Sequence, residues 1–174
     1  HSTEKHHTAT HLLHQALRVV LGEGVKQSGS LVAPDRLRFD YSFNRAPTDE
    51  ELLRVEKIVN DKIKENLKVE TRIVKFEEAK NLGAIALFEE KYGETVGLLK
   101  IGDFSMELCG GTHVKSTDVI ELFKIKSDEA ISAGVRRLEA VAGSSVLEYV
   151  LNLEEALRKE NNDLIYRLKE LEYK

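Results

Sequence analysis

Two residue pairs in this sequence have the types and spacing to hold a metal ion. His7 and His11 stand four positions apart, and so do Cys109 and His113 far downstream, the latter pair separated by Gly110-Gly111-Thr112. Positions i and i+4 stack on one face of a helix, so a helical segment would bring both imidazoles of the first pair to one ion. A thiolate and three imidazoles make the nitrogen and sulfur set that zinc favours. Taken alone, His7 and His11 read more simply as two polar residues on a half-exposed helix. The second pair changes that reading. The single cysteine of the chain, two glycines that let backbone approach something closely, and a histidine at the matching spacing are hard to ascribe to packing. The pattern predicts one Zn2+ joining two distant segments. His14 is either a competing ligand or a residue lining the pocket, and His1 and His6 read as tail residues.

The elements that must position these pairs follow from periodicity. His6 to Leu21 places Ala9, Leu12, Leu13, Ala16, Leu17 and Val20 on one helical face, with Gly22 and Gly24 ending it. Val25–Val32 and Arg36–Phe43 alternate around Pro34-Asp35 and predict a hairpin, with Leu37, Phe39, Tyr41 and Phe43 on one side of the second strand. Thr48 and Glu51 form a capping box that opens a second helix carrying Leu52, Leu53, Val55, Ile58, Val59, Ile63 and Leu67. A strand over Val69–Phe76, a short helix over Glu77–Leu82, and strands over Val96–Ile101 and Phe104–Leu108 joined at Gly102-Asp103 come next. Val119–Lys126 and Val135–Ala142 read as further strands, with Ser127–Gly134 connecting them. Residues 144–174 lack glycine and proline and place Val150, Leu157, Leu164 and Leu171 at heptad spacing, interrupted by Asn161. This predicts a long helix of coiled-coil character that packs on a partner, on sequence beyond this chain, or on a second copy.

Composition narrows the class. The 174 residues are 41% hydrophobic and 32% charged, enough for one good core or a domain with an appendage. No apolar run is long enough for a membrane span, and no secretory signal is visible, so a cytosolic, membrane-free protein is expected. A lone cysteine cannot form an internal disulfide. The net charge of −4 argues mildly against a nucleic-acid-coated surface yet allows a local basic patch. The chain begins at His1 without methionine, which predicts a piece of a longer protein.

Five blocks carry a family resemblance. His7-Thr-Ala-Thr-His-Leu-Leu13, Gln27-Ser-Gly-Ser-Leu-Val32, Leu37-Arg-Phe-Asp40, Cys109-Gly-Gly-Thr-His-Val114 and Ala133-Gly-Val-Arg-Arg-Leu-Glu-Ala-Val141 resemble, in order, the editing domain of alanyl-tRNA synthetase. The resemblance covers residues 3 to 143. The related threonyl editing domain shares the two-histidine and cysteine-histidine scheme, but not usually the Gly-Gly-Thr insert or the Gly-Val-Arg-Arg strand. Where the family commonly has Thr-Gly-Glu-Ile-Gly, this chain has Thr117-Asp-Val-Ile-Glu121, which puts the local turn in doubt.

The resemblance implies an α+β fold, a sheet with helices packed on one side. The zinc site would lie between the N-terminal helix and a later strand-loop, and a long C-terminal helix would follow. It divides the chain into an editing domain, 1–143, and a helix, 144–174, leading toward a coiled-coil or dimerisation region, through which self-association is one expectation. It implies a hydrolase that removes serine or glycine wrongly esterified to the 3′ end of tRNA(Ala), because an alanine pocket cannot exclude smaller glycine and discriminates poorly against an added hydroxyl. His7, His11, Cys109 and His113 would be the ligands of one Zn2+, and Gln27 would position water or substrate in the pocket. Thr10, Gly110, Gly111 and Thr112 are substrate-contact candidates, although capping or packing explains the threonines as well. Arg36, Arg38, Arg136 and Arg137 are candidates for tRNA phosphates; adjacent in a strand, Arg136 and Arg137 must point to opposite faces. The ion would either activate a water or orient the substrate while a free water attacks. Absent any ATP-binding or amino-acid-activating region, aminoacylation belongs to the rest of the parent synthetase. Two rival readings are a zinc-stabilised, non-catalytic tRNA-binding module and a free-standing editing protein.

Overall fold

The structure, a computed structural model, describes residues 1–86 and 93–172. Helix α1, Ser2–Leu21, begins four residues before the expected start and ends at Gly22, whose N–H still bonds Arg18 O while its positive φ of 112° turns the chain out of the helix. Strands β1 (Gln27–Val32) and β2 (Leu37–Ser42) form the expected hairpin. Helix α2, Asp49–Lys64, carries the full capping box: Glu51 N–H donates to Thr48 Oγ1 at 3.1 Å, and Thr48 N–H donates to Glu51 Oε2 at 2.8 Å. Then come β3 (Val69–Lys75), α3 (Phe76–Asn81), β4 (Thr95–Ile101), β5 (Ser105–Leu108), a 3-10 turn at Thr117–Ile120, β6 (Phe123–Ser132), β7 (Val135–Ala142) and α4 (Ser144–Glu172). The last two residues of the predicted terminal helix lie outside the described residues.

The α+β class stands, with the strands divided between two antiparallel sheets, β1-β2-β7-β6 and β3-β4-β5. Helix α1 lies between them, touching β1, β2 and β7 on one flank and β5 on the other. Leu12, Leu13, Leu17, Phe39, Tyr41, Val59, Ile101, Phe123 and Leu138 form the centre of the core. Strand β4 is buried on both faces, since Leu99 and Ile101 enter this core while Val96 and Leu98 pack with Val74 and Ala79 in a smaller cluster. A helix flanked by two sheets must bury its polar residues as well. His6 is accordingly no tail residue: it is fully buried, its Nδ1 bonds Ser2 O at 2.9 Å, and its Nε2 accepts from Ala142 N–H at 3.1 Å.

Two further expectations change. Val119 and Ile120, expected to begin a strand, belong instead to the 3-10 turn, and β6 runs through the segment expected to be a connection, leaving Ala133-Gly134 as the hairpin turn with Gly134 at φ 70°. Solvent-exposed strand residues with no apolar alternation had concealed it. Helix α4 would be about 43 Å long at 1.5 Å per residue. Val146 anchors its first turn, and Leu147, Val150, Leu157, Leu164, Leu168 and Leu171 are all exposed. No described helix is long and apolar enough to cross a membrane.

Candidate metal centre

The register of α1 stacks His7 over His11 on the flank that faces the loop leaving β5. That loop is held by an extension of the β4–β5 ladder, Cys109 N–H donating to Gly97 O at 2.9 Å. A Cβ at Gly97 would lie 3.0 Å from the Cys109 carbonyl carbon and nearer still to its oxygen, so only glycine allows this approach. Of the two glycines after Cys109, Gly111 is the one pressed against a neighbour: a Cβ there would sit 2.9 Å from His7 Nδ1 and nearer still to Cε1. At Gly110 the same Cβ would meet nothing within 4 Å.

These approaches bring His7, His11, Cys109 and His113 together, with one ligand atom from each lying within 4.8 Å of the others. The His7 and His113 rings stack at 4.2 Å between centroids, and Cys109 Sγ lies 3.4 Å from His7 Nε2. Each imidazole is held by its other nitrogen. His7 Nδ1 donates to Thr112 O at 3.0 Å, His11 Nδ1 donates to the Glu107 carboxylate, and His113 Nδ1 lies 3.3 Å from Thr8 Oγ1. Because a carbonyl and a carboxylate only accept, His7 and His11 carry their protons on Nδ1 and present Nε2 lone pairs to the centre. Nε2 of His11 and of His113 are buried with no hydrogen-bond partner. Orphaned nitrogens converging on a thiolate fit a divalent cation of the zinc type, and the bonds on the opposite ring nitrogens set the orientation such a site needs.

The electrostatics agree. Burial alone would raise the Cys109 thiol, but the surrounding imidazoles of His11, His113 and His7 outweigh it and bring the pKa down to about 3. Burial likewise opposes charge on His11, and Cys109 with Glu107 overcomes it, raising the imidazole of the metal-free chain to about 9, so that a cation binding there displaces the Nε2 proton. For His113 burial dominates and lowers the pKa. Glu107, whose burial favours the neutral acid, is nonetheless pulled down to about 2 by His11 and His14.

Other predicted site residues are placed differently. His14 stands outside the four-residue donor cluster; its Nδ1 donates to Glu107 Oε1 at 2.6 Å and its ring packs 5.4 Å from Phe39. Gln27 pairs with Tyr41 across a bulge, and its Nε2 donates to Ser30 Oγ at 3.0 Å. It therefore shares the sheet face that α1 covers, though among the described residues no hydrogen bond ties it to the cluster. The Thr10 hydroxyl donates to His6 O at 2.8 Å within the helix, whereas Gly110, Gly111 and Thr112 are exposed beside the cluster. Arg136 and Arg137 do face opposite sides, and each meets a carboxylate of the chain itself. Arg136 bonds Asp128, which also accepts from Tyr41 Oη at 2.6 Å, and Arg137 forks onto Asp40 at 2.8 and 2.9 Å. Arg36 pairs with Asp35, and Arg38 Nε lies 3.7 Å from Asp40.

Sequence reasoning missed Glu107 and Thr8. Strand alternation held a signal for the first, since Glu107 lies two residues before Cys109 and so shares its face. Thr8, accepting from Val114 N–H at 3.2 Å while touching His113, had none.

The fold is α+β, and the centre is a His/Cys group that could hold a metal ion. Residues 96–139 match the family model described as the threonyl and alanyl tRNA synthetase second additional domain. The chain is 56% identical over 158 residues to the alanine–tRNA ligase of Carboxydothermus hydrogenoformans, an alignment covering 91% of this chain and 18% of the relative. It is 55% identical over 158 residues to that of Fervidobacterium nodosum, with the same shares, 91% and 18%. With the Nitrosococcus oceani alanine–tRNA ligase it shares 57% identity over 148 residues, 85% of this chain and 17% of the relative. The chain belongs to the alanyl-tRNA synthetase family and spans under a fifth of the length of these relatives.

Proposed function

We propose that this segment is the proofreading domain of an alanyl-tRNA synthetase. It hydrolyses the ester joining serine or glycine to the 3′ end of tRNA(Ala) and spares Ala-tRNA(Ala). The observation carrying this reading is the convergence of one thiolate and two fixed Nε2 lone pairs with His113 Nε2 beside the exposed loop 110–112. His7, His11, Cys109 and His113 would hold one Zn2+, which when bound supplies Lewis acidity for ester cleavage. The chain's residues do the rest. Thr112 O, Glu107 and Thr8 orient the three rings. Gly111 makes room for His7, and Gly110 with Thr112 forms an open rim where an aminoacyl end can lie. Gln27 is assigned to positioning water or the aminoacyl group from the α1-covered sheet face. The arginines, engaged within the chain, would reach tRNA phosphates only by exchanging partners. Helix α4 would lead to the remainder of the synthetase.

A set of four protein donors is also how structural zinc is held, which favours as second reading a zinc-stabilised tRNA-binding module without catalysis. Incubation with Ser-tRNA, Gly-tRNA and Ala-tRNA, with and without chelator, separates the two. Editing requires loss of the seryl and glycyl esters, retention of the alanyl ester, and arrest by chelator. Intact esters in all arms, with unfolding on chelation, establish the module instead.

A further inference from the structure

Glu107 is fully buried, and a buried carboxylate is costly unless its oxygens are matched by donors. Both of its oxygens are engaged by imidazoles of α1: Oε2 accepts from His11 Nδ1 and Oε1 from His14 Nδ1 at 2.6 Å. The two histidines are three positions apart on the helix, and only one of them belongs to the donor cluster. His7 and His113 are held by a neutral carbonyl and a hydroxyl, so His11 is the ring with an anionic acceptor. His14 Nε2 is buried with no hydrogen-bond partner, which leaves its Nδ1 bond to Glu107 as the sole polar use of that ring among the described residues.

We propose that Glu107 and His14 form a positioning pair for metal binding: His14 pins one oxygen of the carboxylate so that the other fixes the ring and tautomer of His11. The inference rests on the metal-site reading above. An anionic acceptor raises the basicity of a ligating imidazole, and partners of this kind typically carry about 10–100-fold in metal affinity.

Three substitutions resolve the roles. Glu107→Gln keeps an oxygen for His11, while its amide N–H can face His14, whose Nε2 is free to take the proton; it therefore removes charge with little change of geometry. His14→Phe keeps a ring against Phe39 and removes the pin. His14→Asn keeps a donor at the Nδ1 position. Zinc affinity of the 174-residue chain, measured against a chromogenic chelator, is expected to fall about tenfold or more for Glu107→Gln and His14→Phe and to recover toward the unaltered value for His14→Asn. The visible spectrum of the Co2+-loaded chain should shift in the same order. Circular dichroism of each metal-free variant identifies any that does not fold, and His14→Asn with Glu107→Gln then carry the comparison. Affinities within twofold of the unaltered chain, with unchanged cobalt spectra, overturn the positioning role while leaving the metal site standing. An unaltered chain that binds no zinc overturns both.

Discussion

Replacing Gly111 by alanine places a methyl carbon 2.9 Å from His7 Nδ1 and nearer still to Cε1, with Nε2 at 3.4 Å. Ordinary contacts begin at 3.4 Å, so the imidazole must move or the loop must retreat. The backbone itself accepts alanine, because Gly111 is not among the positive-φ glycines. His7 is half-buried, and its ring can swing outward when no ion holds it, so the fold should lose no more than about 1–3 kcal/mol, the range for overpacking. Metal binding has no such freedom, since ligand distances tolerate only about 0.2 Å. A displaced His7 also forfeits its bond to Thr112 O, and loss of an orienting partner alone carries about 10–100-fold in affinity. Gly111→Ala should therefore weaken zinc by at least that factor while the metal-free melting temperature moves by a few degrees. Gly110→Ala, with nothing within 4 Å, is the matched control and should leave both quantities unchanged. Chelator competition and melts with and without zinc measure them. Equal zinc affinity in the two variants, or greater damage from Gly110→Ala, would refute the claim that close approach to His7 is why a glycine stands at 111.

Other consequences are as direct. Glu121 sits at φ 72° and ψ −68° with Leu122 N–H closing on Ile120 O, a strained γ-turn at a position where the resembling family commonly has glycine. Glu121→Gly should stabilise the chain by about 1 kcal/mol, the relieved strain less the added chain entropy and a weak pair with Lys5; a lower urea midpoint contradicts it. The Arg45 fork, with help from the Thr48 N–H, holds Glu51 at about 2, below its ordinary 4.5. Its contribution is thus complete above about pH 4.5 and lost as pH falls toward 2, and Glu51→Gln should flatten the acid limb of the stability profile there. Tyr41→Phe removes the hydroxyl bonded to buried Asp128 and should cost about 2 kcal/mol in urea unfolding.

The donor pairs were legible because metal ligation depends on residue type and short spacing, both local properties. The capping box at Thr48 and Glu51 was legible for the same reason. What decides the surroundings of α1 is not local. β2 pairs with β7, and β5 closes the opposite flank, so His6, which looked like a tail residue, is interior, and His14 is buried with it. An amphipathic pattern reports one buried face and is silent about a second. Glu107 could have been found by its alternation with Cys109, but a single glutamate in a short strand gives no reason to expect it inside. Basic residues drew attention as phosphate contacts because charge is visible in sequence. The partners of Arg137 and Arg136, Asp40 and Asp128, become their neighbours only through strand register.

The most direct test of the central claim is hydrolysis of Ser-tRNA(Ala) by the chain and by its Cys109→Ala variant, with bound zinc determined on the same samples. One zinc per chain and rapid deacylation, both lost on removal of the thiolate, are predicted. Unchanged metal content and unchanged deacylation in Cys109→Ala would contradict the account.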